Sequence, residues 1–247
     1  MAETGGGTRR ERLRAQTLAE IREHALAQVA QGGPEALSLN AIARAMQMSG
    51  PALYRYFSSR DDLLVALVAD SHEDLADTIA AAAEGVSALS ATRGDRLRAV
   101  AAAYRGWALA HPHRYRLVFA SRYGSGLLAP DRVVPAATRT MDVLSAAVAD
   151  LRAAPPDAAP ADTAPPGTAP RGTAPPGSLV DQLERWQESR SGAAVLSPAA
   201  LHLSVIAWTR LHGLVSLEIE GVFVSMGLDP DLLFDGEVEQ VVASAGV

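Results

Sequence analysis

Between Leu37 and Leu64 the chain reads LSLNAIARAMQMSGPALYRYFSSRDDLL, and the side chains there that can do chemistry suit phosphate and base edges. Arg55 fits a guanine edge, where a guanidinium makes paired bonds to O6 and N7, and the methyl of Ala52 can touch a thymine methyl. Tyr54, Tyr56 and Arg60 can reach phosphate oxygens, contacts that set register without reading sequence. Ser38 can offer its hydroxyl and a nearby backbone N–H to a further phosphate, and Asn40 joins this polar set. Ser49, Gly50, Pro51 and Ala52 are small enough to let the backbone approach the bases. The competing reading of Tyr54 and Tyr56 is as half-buried packing residues of an ordinary helical hairpin.

Two short helices joined by a tight turn must position these groups. Ser38 caps a helix running to Met46, with Ile42, Ala43 and Met46 inward and Asn40 and Arg44 wet. Gln47 and Met48 make the turn. Ser49 caps the next helix, and Pro51 sits in its first turn, where a missing N–H is harmless. Leu53 and Phe57, four apart, pack inward. Ser58 or Ser59 then caps a longer helix whose first turn holds Asp61 and Asp62, the sign the helix dipole favours. A helix of about two turns is marginal alone, so the exposed face of the middle helix serves something other than stability. The layout suits insertion into the major groove of duplex DNA.

The segment resembles the TetR family of bacterial one-component transcription regulators, without a gap from Leu37 through Leu64. The resemblance is carried by A-L-S-L-x-x-I-A from Ala36, L-Y-x-Y-F at Leu53 to Phe57, and S-R-D-D-L-L from Ser59. It implies a helix-turn-helix around Ser38 and Ser49, a phosphate contact from Tyr54, and another from Arg60, where the family usually has lysine. It also implies dimerisation through the last two long helices and a small-molecule effector held in the helical body. Two departures stand out. Gln47 replaces the usual glycine, so the turn either tolerates a strained residue or takes another conformation. Ala52 often bears a hydroxyl in relatives, so its methyl points to a different operator.

Composition narrows the alternatives. The 247 residues include no cysteine, which excludes disulfides, thiolate metal sites and cysteine catalysis and fits a reducing cytoplasm. All 22 basic residues are arginine, so a Walker loop is excluded, and no G-x-S-x-G, H-E-x-x-H or cofactor fingerprint occurs. No catalytic residue, cofactor or enzyme activity is expected. No membrane-length apolar run or signal-peptide core is present, so a cytoplasmic protein is expected. The net charge is −6, yet residues 1–60 hold eight arginines against five acids, which is +3 and leaves −9 on residues 61–247. A basic head and an acidic body fit a head that meets DNA and a body repelled from it.

The expected fold class is all-α: an N-terminal three-helix helix-turn-helix DNA-binding domain plus a C-terminal helical ligand-binding and dimerisation domain. The boundaries are a disordered arm at 1–8, the DNA-binding domain at 9–60, a connecting helix at 61–84 and the body at 85–247. Arg9, Arg10, Arg12 and Arg14 can touch phosphates or a neighbouring groove, or form a solvated helix start. The first helix buries Leu18, Ile21, Ala25 and Val29 and stops at Gly32, Gly33 and Pro34. In the body, helices are expected at 96–110, around Tyr115 to Phe119, and at 131–151 with Val134, Thr138, Met141, Leu144 and Val148 in line. The tandem TAPPG, TAPRG, TAPPG from Thr163 marks a flexible Pro/Ala/Gly-rich loop at about 153–178, a tolerated insertion or a docking site for a proline-reading partner.

The chain closes with an apolar helix expected from Ser197-Pro198 to Val222. One seam is Leu201, Val205, Trp208, His212, Val215, Ile219 and Val222; a second strip is Leu203, Ile206, Leu214 and Leu217. A helix apolar on two sides is covered on two sides, here by the body and by a second copy, with the helix at 230–243 completing a four-helix interface. Gly213 allows close approach. The W-x-x-x-H-G string at Trp208 to Gly213 resembles C-terminal domains of some TetR-like regulators. Candidates to line an apolar effector pocket are Tyr104, Trp107, Phe119, Tyr123, Met141, Trp208 and His212, each of which can instead be plain core. His111, His113, His202 and His212 lack the companion ligands of a metal site, so none is expected. The function expected is a homodimeric repressor released from a pseudo-palindromic operator by an apolar small molecule. The alternatives are a ligand-independent regulator or activator of the same fold, and a structural helical dimer.

Overall fold

The computed structural model describes residues 9–86, 92–121, 129–152, 177–190 and 195–244, and among these every regular element is a helix. In order they are α1 (Arg9–Gly32), a 3-10 turn (Pro34–Ala36), α2 (Leu39–Ala45), α3 (Gly50–Tyr54), α4 (Arg60–Glu84), α5 (Asp95–Ala110), α6 (Pro112–Phe119), α7 (Pro130–Arg152), α8 (Leu179–Glu188), α9 (Pro198–Ile219), α10 (Val222–Ser225) and α11 (Pro230–Ser244). The expected arm at 1–8, Tyr123 and nearly all of the Pro-rich loop lie outside the described residues. No described helix is long and apolar enough to cross a membrane.

The chain forms two compact units, residues 1–74 with 111–137 and residues 75–110 with 138–247. The division differs from the boundary expected at residue 85. Residues 112–119 pack as α6 on α1, and Leu117 and Val133 join the core of the first unit, a long-range packing that local pattern does not reveal.

In the first unit the core is Ile21, Ala25 and Val29 of α1, Ile42 and Ala43 of α2, Leu53, Phe57, and the Leu63 to Val68 stretch of α4. Ser38 Oγ accepts the Ala41 N–H at 3.3 Å and starts α2. The helix ends in a Schellman motif: Met48 N–H donates to Ala43 O at 2.8 Å and Gln47 N–H to Arg44 O at 3.1 Å. Gln47 itself takes φ 55°, the left-handed region where glycine is the usual occupant. The turn therefore keeps its conformation and strains the residue. Ser49 stands at the N-cap of α3, but its side chain makes no capping bond there; Pro51 starts the helix instead. At α4, Ser59 is the cap, its Oγ accepting the Asp62 N–H at 3.0 Å, while the Asp62 carboxylate takes the Ser58 N–H at 2.8 Å. Burial raises the pKa of Asp62, but the bonds from Ser58 and from Arg132 outweigh it and leave it below the ordinary value.

The second unit is organised around α9. Its buried face is Leu201, Ser204, Ala207, Leu211 and Val215, against α5, α8 and α11. This differs from the expected seam, of which only Leu201 and Val215 are fully buried, while Val205, Trp208, His212 and Ile219 are half-buried. A helix apolar on most sides does not declare its inward face. α9 stops at Ile219 rather than running to Val222, because Gly221 turns left-handed at φ 71°. On α7 the expected stripe is buried at Leu144 and Val148 and half-buried at Thr138 and Met141, but at its first position Val133 is buried and Val134 exposed. α8 was not expected. It begins with a capping box between Ser178 and Asp181, buries Leu183 and ends at Glu188; two residues on, Arg190 lies over the Trp186 ring and pairs with Asp142 of α7. Arg105 of α5 ties the unit together, donating to Glu218 at 2.8 and 2.6 Å and to Asp231 at 2.5 Å above the Phe234 ring.

Relief of the strain at Gln47 is measurable. Gln47→Gly is expected to raise stability by about 1 kcal/mol, seen as a higher urea midpoint at unchanged slope; a fall would show that the αL conformation costs this residue nothing.

Candidate nucleic-acid interface

The surface built by α2, its turn and α3 brings most of the sequence candidates together. Asn40 is exposed beside the start of α3, its Oδ1 being 4.0 Å from where a Gly50 side chain would begin. Ser49 and Pro51 are exposed and Gly50 and Ala52 half-buried. Tyr54 is 49% exposed although its neighbour Leu53 is 1% exposed, so the short helix turns one side in and the other toward solvent. Arg55 follows as the C-cap, exposed and without an acidic or carbonyl partner among the described residues. Tyr56 is half-buried, as its packing reading has it: its ring packs on the core and carries the Arg14 guanidinium at 5.2 Å.

Two candidates hold structural bonds of their own. Ser38 donates its N–H to Gln28 Oε1 at 2.8 Å, which leaves its hydroxyl proton to give outward. Arg60 donates to Leu37 O at 3.2 Å, Pro34 O at 2.6 Å and Glu35 at 2.9 Å. Its guanidinium locks the segment before α2 to the start of α4, and any phosphate it meets must share those donors. One cation escaped sequence reasoning: Arg44, exposed on α2 and without a described partner. Its signal was available in the wet position the helical spacing gave it. By contrast, Arg22 is spent on Asp70 at 2.6 Å. Among the described residues of this unit, the arginines without a partner thus gather on the α2–α3 face and the start of α1, the sign of charge that an anionic backbone attracts.

A capped supporting helix, a Schellman turn and a five-residue exposed helix make a helix-turn-helix. Residues 21–67 match the model described as bacterial regulatory proteins, tetR family, and residues 97–241 match that of the tetracyclin repressor-like C-terminal domain. The chain belongs to the TetR family. This TetR-family protein is 32% identical over 244 residues to the HTH-type transcriptional regulators Rv1816 of Mycobacterium tuberculosis and Mb1846 of Mycobacterium bovis, covering 96% of its own length and 95% of theirs. Among solved structures it is similar to SCO4313, described as a candidate regulatory protein, with TM-score 0.72, 38% identity, and coverage of 96% of this chain and 100% of that one. The fold is also shared with the fatty acid degradation regulator FadR of Bacillus halodurans, at TM-score 0.55 and 14% identity over 91% and 97% of the two chains. It is a DNA-binding transcriptional regulator and not an enzyme.

The effector candidates of this TetR-family regulator divide between its units. In the second, Tyr104 OH lies 3.3 Å from His212 Nδ1, and the Trp208 ring stacks on the His212 imidazole with centroids 5.5 Å apart. Trp107 is buried on α5 and Met141 half-buried on α7. Phe119 belongs to the first unit, packed on Tyr115 at 4.8 Å and edge-on to His72. Burial lowers the pKa of His212 below its ordinary 6.5.

Two measurements follow from these positions. Arg55→Ala is expected to cost about 1–3 kcal/mol per contact and to relax preference at one base pair per half-site; an equal loss on every sequence would reduce Arg55 to a phosphate contact. Because His212 takes a proton less readily folded than unfolded, stability is lost as pH falls through the unfolded value. Between about pH 7.5 and about pH 5.5 the wild-type urea midpoint should therefore drop further than that of His212→Gln, and equal drops would place the titrating burden elsewhere.

Proposed function

We propose that this regulator is a homodimeric repressor that reads a pseudo-palindromic operator and leaves it when an apolar small molecule occupies its second unit. The outward face of the α9–α11 pair carries the reading. A Cβ added at Gly213 of α9 or Gly236 of α11 would meet nothing within 4 Å. Each glycine costs about 0.5–1 kcal/mol of helix stability relative to alanine, and neighbours within the chain gain nothing from it. Leu217 and Leu232, one turn away on the same two faces, are exposed. A second copy applied through a two-fold axis covers both leucines and uses both glycines for close backbone approach. Two copies carry two α3 helices, and a two-fold protein reads two half-sites about 34–36 Å apart.

The effector reading is supported by the Tyr104, Trp208 and His212 group, an aromatic cluster that includes the Tyr104–His212 polar contact, the composition of a site for an apolar molecule with few polar atoms. Release follows if that molecule prefers a dimer in which the α3 helices no longer match the half-site spacing.

Selection from genomic fragments should return an imperfect palindrome bound by two protomers. A Leu217→Arg, Leu232→Arg variant should be monomeric and bind the full site no better than a half-site; an unchanged dimer would remove this interface. A thermal-shift screen of apolar compounds should find one that raises Tm and lowers operator affinity, and operator DNA should weaken that compound's binding by the same factor. Tight binding that leaves operator affinity unaltered would remove ligand release and leave a regulator without this control.

A further inference from the structure

The arginines at the start of α1 are not absorbed by the helix-turn-helix. Four of them stand between residues 9 and 14, with Glu11 the one acid among them. Residues 9–16 are exposed, Leu13 included, and burial begins only at Leu18 and Ile21. Core packing therefore does not hold these turns. Cations at the start of a helix also oppose its macrodipole, so helix electrostatics does not explain arginine there either.

Geometry gives the cluster a direction. Arg14, Leu18, Ile21, Ala25 and Val29 recur three or four residues apart and share one face of α1, and Arg14 is where that stripe leaves the core. There its guanidinium lies over Tyr56, 5.2 Å from the ring centroid, and Tyr56 comes two residues after α3. A guanidinium stacked on a ring keeps its N–H donors in its own plane, open to a further acceptor. Those of Arg14 have none among the described residues, and Arg10, one turn earlier on the same side, has no partner either.

We propose that Arg10 and Arg14, with Tyr56, form a second DNA-contact surface that grips the phosphates flanking the bases read by α3. The inference rests on DNA reading by α3 and adds to it. Phosphate is the target because the stacked guanidinium is fixed beside the far end of α3 rather than at its tip, and charge with open planar donors is what a phosphate oxygen pair takes.

The test is equilibrium binding of the full chain to a selected operator fragment and to scrambled DNA across a salt series. Arg10→Ala, Arg14→Ala should make the dependence of log affinity on log salt shallower by about 0.9 for each contact removed, with the same fold-loss on both DNAs. Arg14→Lys should keep a near wild-type slope because the charge remains. Arg10→Ala alone, at an exposed position, repeats the test without disturbing the Tyr56 stack. An unchanged slope in the variants overturns the inference and leaves α3 reading intact. A loss confined to particular base pairs overturns the phosphate assignment in favour of a base-reading arm. Wild-type binding insensitive to salt on all DNA would remove both the reading and the inference.

Discussion

A helix of five residues cannot hold its own shape, so the DNA-reading surface exists because Leu53 is buried beneath it. Burying a leucine is worth about 1.5–3 kcal/mol, and Phe57 adds a second anchor one turn on. Every stabilising contact of α3 is thus made on one side. Tyr54 and Arg55, on the other, are exposed, which leaves their outer atoms open to the proposed DNA contacts. The arrangement separates fold from specificity: the inner residues are constrained by the core, while the outer ones can vary with the operator.

Anchoring fixes where α3 lies, but reading bases also requires that it keep its angle to α2. Two features that are costly in themselves secure that angle. The Schellman turn satisfies the last carbonyls of α2 only if Gln47 accepts a left-handed backbone, and the strain is held because both flanking helices are sunk in one core. Arg60 then ties Pro34, Glu35 and Leu37 to the start of α4. Its charge is neutralised by carbonyls and a carboxylate at fixed directions, so it acts as a bracket for the approach to α2.

What the sequence disclosed follows the range of each interaction. The Ser38 cap, Pro51 at the start of α3, the acids opening α4 and the Leu18 to Val29 stripe are local, and they stand where spacing puts them. The Arg60 bracket joins residues 23 to 26 apart and the Tyr104–His212 pair residues 108 apart, distances over which spacing carries no information. Phase failed where apolar residues crowd. Val133 and Val134 are adjacent and only packing decides between them, and α9 offers apolar residues on nearly every side. α8 was hidden for another reason: its signal, Ser178 facing Asp181 and then Leu183, is short and directly follows a Pro-rich repeat with no helical or strand periodicity.

The same ambiguity bears on how the second unit settles on one arrangement. Apolar packing is non-directional, and α9 and α11, apolar on several faces, could pair in more than one rotation or register on hydrophobicity alone. The Arg105 network removes that freedom. Buried charges recover their desolvation cost only in good geometry, and Arg105 meets Glu218 of α9 and Asp231 of α11 together while covering Phe234. A slip of either helix would strand a half-buried charge. The group is therefore better understood as choosing the register than as adding stability, and it is the register that sends Gly213 and Gly236 outward. A two-fold regulator must hold its reading helices at a fixed spacing, so a constraint of this kind matters more at the proposed interface than extra apolar area would.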